Sequence, residues 1–122
     1  MSSYAPINAE YVVDQDTSVG FTSKVVDLRC PLSALNYQVE WELGVKGHFI
    51  FEASIFPEPY KWETIINCEE IVIAVDGTSE GHCIVALTYL WLSMGFVRVR
   101  WEPDTVDGSI GNTNIAIRVV PI

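Results

Sequence analysis

Positive charge is scarce in this sequence of 122 residues. Seven Lys and Arg stand against 16 Asp and Glu, so the formal net charge is −9 at pH 7. Such a chain has no electrostatic attraction to nucleic acid or to an anionic membrane, and we expect neither among its partners. The same charge favours solubility and suits contact with a basic protein surface.

Cysteine and histidine are also rare. Cys30, Cys68 and Cys83 are odd in number and lack Cys-x-x-Cys spacing, which argues against a disulfide framework and against a zinc ribbon. We expect three buried, reduced thiols. The histidines are His48 and His82, and although His82 adjoins Cys83, neighbouring residues of a strand face opposite sides. The sequence therefore predicts no metal site and no cofactor.

Known catalytic arrangements are missing. The sequence has no Gly-x-Ser-x-Gly motif, and Ser54 lies inside a predicted strand. Glu40, Glu42 and Glu52 could supply the paired carboxylates of a glycosidase, but they occupy polar strand positions, where solvated side chains are usual. We predict no catalytic residue and no enzymatic activity, since an enzyme would need a concave pocket around a carboxylate or histidine with a shifted pKa.

Long apolar segments are absent too. No uninterrupted apolar stretch reaches the ~20 residues of a membrane-spanning helix. Residues 1–18 lack the basic start and the apolar centre of a secretory leader. We expect a protein that is made and folded in the cytoplasm.

What the sequence does contain is apolar–polar alternation with a period of two. In residues 37–43, Tyr, Val, Trp and Leu alternate with Gln and Glu, which is typical of a half-buried strand. After the turn Gly-Val-Lys-Gly, residues 49–55 repeat the pattern, with Ile55 inward and with Glu52 and Ser54 outward. These two segments are predicted to form a hairpin.

Further strands complete an all-β prediction. Residues 71–75 are apolar at every position, which favours a central strand. No segment has the apolar stripe of a helix, so residues 23–122 are predicted to form one antiparallel, jelly-roll-like β-sandwich of about seven or eight strands. The remaining strands are expected at 24–30, 82–90, 96–101 and 113–120. The residues expected to be almost fully buried are Trp41, Phe51, Val99, Trp101 and Ile117.

Residues 1–22 show no sustained period. We interpret them as an extended N-terminal arm that lies along another protein chain, because ordering it alone costs about 1–2 kcal/mol per residue in backbone entropy. Residues 89–96 are apolar in both phases, so part of them is expected to face a neighbour. The residues predicted to bind partners are Tyr4, Ile7, Tyr11, Val12, Trp62 and Trp91.

Two stretches resemble a known family. The first runs His-Phe-Ile-Phe-Glu-Ala-Ser-Ile-Phe from His48 and reaches Trp62; the second is Phe-Val-Arg-Val-Arg-Trp at 96–101, followed by a Gly/Asn loop and a closing strand. Over roughly residues 37–120 the pattern resembles small β-sandwich virion proteins of tailed bacteriophages. Ala53 stands where those proteins often have Gly, and Ile-Phe-Pro-Glu-Pro replaces their Asp-Gly turn. The matching residues are Phe49, Phe51, Glu52, Ser54, Trp62, Phe96 to Trp101, Gly108, Gly111 and Ile115 to Val119.

The resemblance implies a capsid decoration or cement protein that stabilises a particle through contacts between subunits. It places the chain in the virion after synthesis in the host cytoplasm, with a major capsid or other virion protein as its partner. The high apolar content also favours a homo-oligomer, either a trimer or a dimer. The alternative is a carbohydrate- or receptor-binding module of a phage fibre or a secreted enzyme. The two hypotheses differ in whether Trp62 and Trp91 point into a subunit contact or outward as a platform for sugars.

Overall fold

Nine β-strands and one helical turn make up the regular structure of the described chain. The structure is a computed structural model that describes residues 8–29, 32–64, 71–87 and 89–121. Tyr4, Ile7, Cys30 and Cys68 lie outside the described residues. The elements are β1 (Asn8–Asp16), β2 (Phe21–Thr22), β3 (Val26–Asp27), β4 (Leu32–Trp41), β5 (Lys46–Ser54), β6 (Val72–Asp76), β7 (Gly81–Ala86), α1 (Tyr89–Leu92), β8 (Phe96–Pro103) and β9 (Asn112–Pro121).

The strands form two antiparallel sheets. The first, sheet A, has the order β1-β9-β4-β7, and the second, sheet B, has the order β2-β8-β5-β6 with β3 also paired to β8. Between β2 and β3, Ser23 donates its N–H to the carbonyl of Val99 at 2.8 Å, and its hydroxyl accepts the N–H of Val99 at 2.9 Å. The two short strands are therefore halves of one interrupted strand. The resulting order of four facing four is that of a jelly roll, which confirms the predicted β-sandwich.

The core lies between the two sheets and follows the alternation of the sequence. Phe51, Val99, Trp101 and Ile117 are almost completely buried, which confirms four of the five predicted core positions. Trp41 is only half-buried, and that prediction is wrong. Trp41 is the last residue of β4, so its indole covers the end of the core instead of lying inside it.

Consecutive strands mostly cross from one sheet to the other. The predicted hairpin between residues 37–43 and 49–55 is wrong, because β4 belongs to sheet A and β5 to sheet B. The turn between them includes Gly44 at a φ of 94°, a backbone conformation that favours glycine. The prediction of a central strand at 71–75 is also wrong, since β6 stands at the end of sheet B and leaves Val72 exposed.

The first described strand corrects the predicted arm at residues 1–22. Strand β1 pairs with β9 from Asn8 opposite Val119 to Asp16 opposite Asn112, so residues 8–16 belong to the sandwich. The register shifts between Val12 and Gln15, which marks a β-bulge. Because a bulge inserts an extra residue, it interrupts the period-two pattern, and this explains why residues 8–16 show no sustained alternation. No helix in the described ranges is long and apolar enough to cross a membrane.

Candidate functional site

Of the residues predicted to bind partners, Tyr11, Val12, Trp62 and Trp91 lie in the described ranges. Trp91 is fully buried and packs against the ring of Phe51, so its assignment to a partner contact is wrong. The cause is the helical turn α1, which replaces the end of the predicted strand 82–90 and directs Trp91 into the core. Val12 packs against the core, and the backbone of Tyr11 pairs with Ala116 inside sheet A.

The outer face of sheet B is covered by the segment that follows β5. Glu52 and Ser54 point to this face, as the alternation predicts, but both are buried and not solvated. The Ser54 hydroxyl accepts the N–H of Phe56 at 3.2 Å and that of Lys61 at 3.1 Å, which fixes the segment against the sheet. Since β5 ends at Ser54, the predicted inward position of Ile55 is wrong and its side chain is exposed.

Under this segment, Glu52 joins two arginines of β8. One oxygen of Glu52 accepts from Nε of Arg98 at 3.0 Å, and the other lies 3.3 Å from Nε of Arg100. The ring of Trp62 lies 4.3 Å from the Arg98 guanidinium carbon and 5.0 Å from the ring of Tyr60. Trp62 therefore covers an ion pair on the outer face. The Trp62 side chain is half-buried and is not part of the core cluster between the sheets.

One end of the sandwich, which we call the loop end, presents aliphatic side chains to solvent. It consists of the turns at 17–20, 42–45 and 104–111, which the hydrogen bonds of Thr17 and Gly44 with residues 110 and 111 bring together. Four large apolar side chains are exposed there: Val19 at 56%, Leu43 at 65%, Val106 at 88% and Ile110 at 73%. Alternation cannot locate these residues, although Val and Ile inside an Asp- and Gly-rich loop are a visible signal in the sequence.

The loop end is held by a dense set of polar contacts. The hydroxyl of buried Ser109 lies 2.8 Å from the hydroxyl of Thr17 and accepts the N–H of Lys46 at 2.9 Å. The carboxylate of Asp104 accepts the N–H groups of Asp107 at 2.8 Å and of Val106 at 2.9 Å. These backbone hydrogen bonds lower the pKa of Asp104 below its usual value. The exposed aliphatic residues are thus carried by an ordered scaffold.

A groove of about 620 Å³ crosses the outer face of sheet A near the loop end. Strand pairing places Glu40 opposite His82 of β7 on one side and opposite Asn114 of β9 on the other. An adjoining depression of about 320 Å³ shares Glu40 and Asn114 with it. The groove is lined by Glu40, Trp41, Glu42, Glu80, Gly81, His82, Asn112 and Asn114.

The groove residues are positioned by the strand ends. A carboxylate oxygen of Glu42 accepts the N–H of Asn112 at 2.7 Å. The absence of a side chain at Gly81 lets the indole of Trp41 lie against its backbone, and a Cβ there would stand 2.7 Å from the ring. Carboxylates, amides and an imidazole can accept or donate hydrogen bonds to hydroxyl or amino groups. No lysine or arginine is among the residues that line this groove.

The described residues contain neither a group of metal ligands nor a thiol with a lowered pKa. Those residues contain no group of three or more His, Cys, Asp and Glu side chains arranged to hold a metal ion. Cys83 is a free thiol that packs towards the core, while His82 beside it is exposed, as expected for neighbours in a strand. Burial raises the pKa of the Cys83 thiol, which makes the reactive thiolate scarcer.

Comparison of the chain with models of known protein families and with curated proteins finds no match.

Proposed function

We propose that this chain is a structural, non-enzymatic subunit of a tailed-phage particle, a decoration or cement protein that docks onto another virion protein through its loop end. The observation that carries the proposal is the set of four exposed aliphatic side chains at that end. It is supported by the resemblance of residues 37–120 to phage virion proteins. Jelly-roll sandwiches occur in capsid proteins as well as in lectins, and the fold agrees with the proposal.

The physical argument rests on what burial of this surface would contribute. Covering one Val, Leu or Ile side chain contributes about 1.5–3 kcal/mol relative to leaving it in water. Because Ser109 and Asp104 already order the loops, docking would lose little conformational entropy. Asp104, Asp107 and Glu42 lie in the same turns as Leu43, Val106 and Ile110, so the partner surface should combine apolar and basic residues.

The test is binding of purified chain to particles that lack it, measured by co-sedimentation. Val106→Ser combined with Ile110→Ser removes two exposed aliphatic side chains without disturbing the core. The matched control is Ile55→Ser, which alters a similarly exposed residue beyond the opposite end of β5. We expect the control to bind like the wild type and the double variant to bind at least about tenfold more weakly, a difference of roughly 1.4 kcal/mol. Equal binding by all three proteins would contradict docking through the loop end.

The groove on sheet A supports a second candidate function, the binding of a neutral or amino-substituted glycan. A half-buried Trp41 beside Glu40 and Asn114 combines an aromatic ring with hydrogen-bonding groups, a combination common in small-ligand sites. Calorimetric titration of the chain with a panel of oligosaccharides tests this candidate function. Glu40→Gln should weaken any binding, whereas Glu58→Gln, at an exposed position outside the groove, should not. Absence of heat at millimolar glycan would remove this candidate.

A further inference from the structure

Strand β7 leaves one side of its backbone without a partner in the described chain. It is the last strand of sheet A, and all six of its residues pair with β4 on the other side, from Ala86 opposite Asn36 to Gly81 opposite Trp41. The described ranges contain no strand on its free side. Its sequence, Gly-His-Cys-Ile-Val-Ala, has no proline, lysine, arginine or acidic residue.

The opposite edge of the same sheet is built differently. Strand β1 contains the bulge between Val12 and Gln15, and Asp14 within it has a φ of 50°. Bulges and charged residues are devices by which natural proteins prevent an edge strand from pairing with another chain. Strand β7 has neither, and its register with β4 has no shift. Among the described strands, β7 is therefore an edge open to strand addition.

We propose that β7 pairs antiparallel with β7 of a second copy of this chain, which joins the two sheets A into one sheet of eight strands across a two-fold axis. This contact is a different surface from the loop end and does not depend on the proposed docking function.

The geometry of the strand sets the register of this pair. Directly opposite residues of antiparallel strands share a face of the sheet. His82, Ile84 and Ala86 are the exposed residues of β7, while Cys83 and Val85 pack towards the core. The register that pairs all of residues 82–86 and keeps each face matched places Ile84 opposite Ile84 on the two-fold axis. The 69% exposed side chain of Ile84 then covers its counterpart.

Charge does not oppose the contact, even though the chain carries a net charge of −9. In this register the nearest acidic residue along the strand, Glu80, lies eight residues from its counterpart, or about 27 Å at ~3.4 Å per residue. That exceeds the screening length of about 8 Å at physiological ionic strength. A second copy of the chain fits this edge, because residues 82–86 of β7 pair with the same residues of the other copy. None of these residues is an Asp, Glu, Lys or Arg. Five paired residues per chain form a small interface, so we expect a weak dimer with a dissociation constant in the micromolar range.

Sedimentation velocity tests the proposal by measuring the oligomeric state of the chain from about 10 to about 500 µM. This is the concentration range in which such a dimer would form. Ile84→Lys sets two like charges opposite each other at the axis. The matched control is Val13→Lys, which makes the same change of charge at an exposed apolar residue of the protected edge. We expect dimers of the wild type and of the control, and at least a tenfold increase in the dissociation constant for Ile84→Lys. Circular dichroism should show all three proteins folded.

Hydrogen exchange supplies a second readout. Backbone amides of residues 82–86 should become more protected as the wild-type concentration rises, and those of Ile84→Lys should not. A wild type that stays monomeric across the range would overturn the proposal. So would an unchanged dimer of Ile84→Lys, or a dimer lost only in Val13→Lys, which would move the contact to β1. The double variant Val106→Ser/Ile110→Ser should still dimerise, which separates this contact from the loop end.

Discussion

At the scale of single residues, Trp101 joins the core to the loop end. Its ring is buried 4.4 Å from the ring centre of Phe49, and its Nε1 donates to the carbonyl of Thr17 at 2.8 Å. We expect Trp101→Ala to lower the free energy of unfolding by about 3–5 kcal/mol, because it leaves a cavity and a carbonyl without its donor. Urea unfolding measures the change. Val106→Ala, at an exposed side chain, is the control and should change stability by less than about 0.5 kcal/mol. A loss below about 1 kcal/mol for Trp101→Ala would contradict its place in the core.

Tyr37 carries the one buried side-chain polar atom without a hydrogen-bond partner in the described part of the chain, its hydroxyl oxygen. Burying a hydroxyl without a partner costs about 1–3 kcal/mol. Tyr37→Phe keeps the ring against Phe51, 5.0 Å away, and removes only that hydroxyl. We expect the variant to unfold at a higher urea concentration than the wild type. A loss of more than about 1 kcal/mol would instead reveal a partner for the hydroxyl.

Tyr37 also makes the stability of the folded state depend on pH in the alkaline range. Burial raises the pKa of Tyr37 well above its usual value, so the folded state keeps this phenol protonated. The contribution of Tyr37 to stability is fully present below the unfolded pKa of about 10 and is lost as the pH rises towards the folded pKa. Between pH 8 and pH 11, Tyr37→Phe should therefore lose less stability than the wild type.

Glu52 and Glu102 both pair with Arg100 but differ in burial. Glu52 is buried and also holds Arg98, whereas Glu102 is exposed. Glu52→Gln should lower the free energy of unfolding by about 1–3 kcal/mol, because two partly buried guanidinium groups lose their shared anion. Glu102→Gln should cost less than about 1 kcal/mol. Equal effects of the two changes in thermal unfolding would show that the segment over sheet B does not shield Glu52.

At the scale of elements, β1 decides whether the first residues are an arm or part of the sandwich. Removing residues 1–17 strips β9 of its outer neighbour and takes away the Thr17 carbonyl that holds Trp101. We expect this deletion to abolish cooperative thermal unfolding, monitored by circular dichroism. A chain lacking only residues 1–7 serves as the reference. A deletion of 1–17 with an unchanged melting temperature would restore the arm hypothesis.

The strands show which features of the fold can be predicted from alternation in the sequence. Alternation in residues 96–101 assigns Val97, Val99 and Trp101 to the core and Arg98 and Arg100 to the other face, and the structure agrees. It cannot assign strands to sheets, since β4 and β5 alternate in the same way whether they pair as a hairpin or cross between sheets. It also failed at β1, where the bulge breaks the period.

The candidate sites could not be predicted from the sequence for a related reason. Glu40, His82 and Asn114 meet only because β4 lies between β7 and β9, an order that no local pattern encodes. The burial of Glu52 depends on the segment after β5 folding back over sheet B. Pairing order and the return of loops are long-range properties, so local alternation predicts the core better than the surface.

At the scale of the whole molecule, the described surface offers three features that could contact other molecules. The loop end offers aliphatic side chains on an ordered scaffold, the groove on sheet A offers hydrogen-bonding groups, and β7 offers an open edge. With a net charge of −9, copies of the chain stay apart in solution unless a specific contact or a basic partner brings them together. The proposed role as a decoration or cement protein draws on the loop end, and the proposed pairing of two copies draws on β7.

The most direct test of the central claim is mass spectrometry of particles purified on a density gradient from cultures that produce the chain. We expect the chain to band with the particles, in a fixed ratio to the major capsid protein that agrees with the symmetry of the shell. Val106→Ser/Ile110→Ser should lower that ratio. Recovery of the wild-type chain only at the top of the gradient, with none in the particle band, would contradict a structural role in the virion.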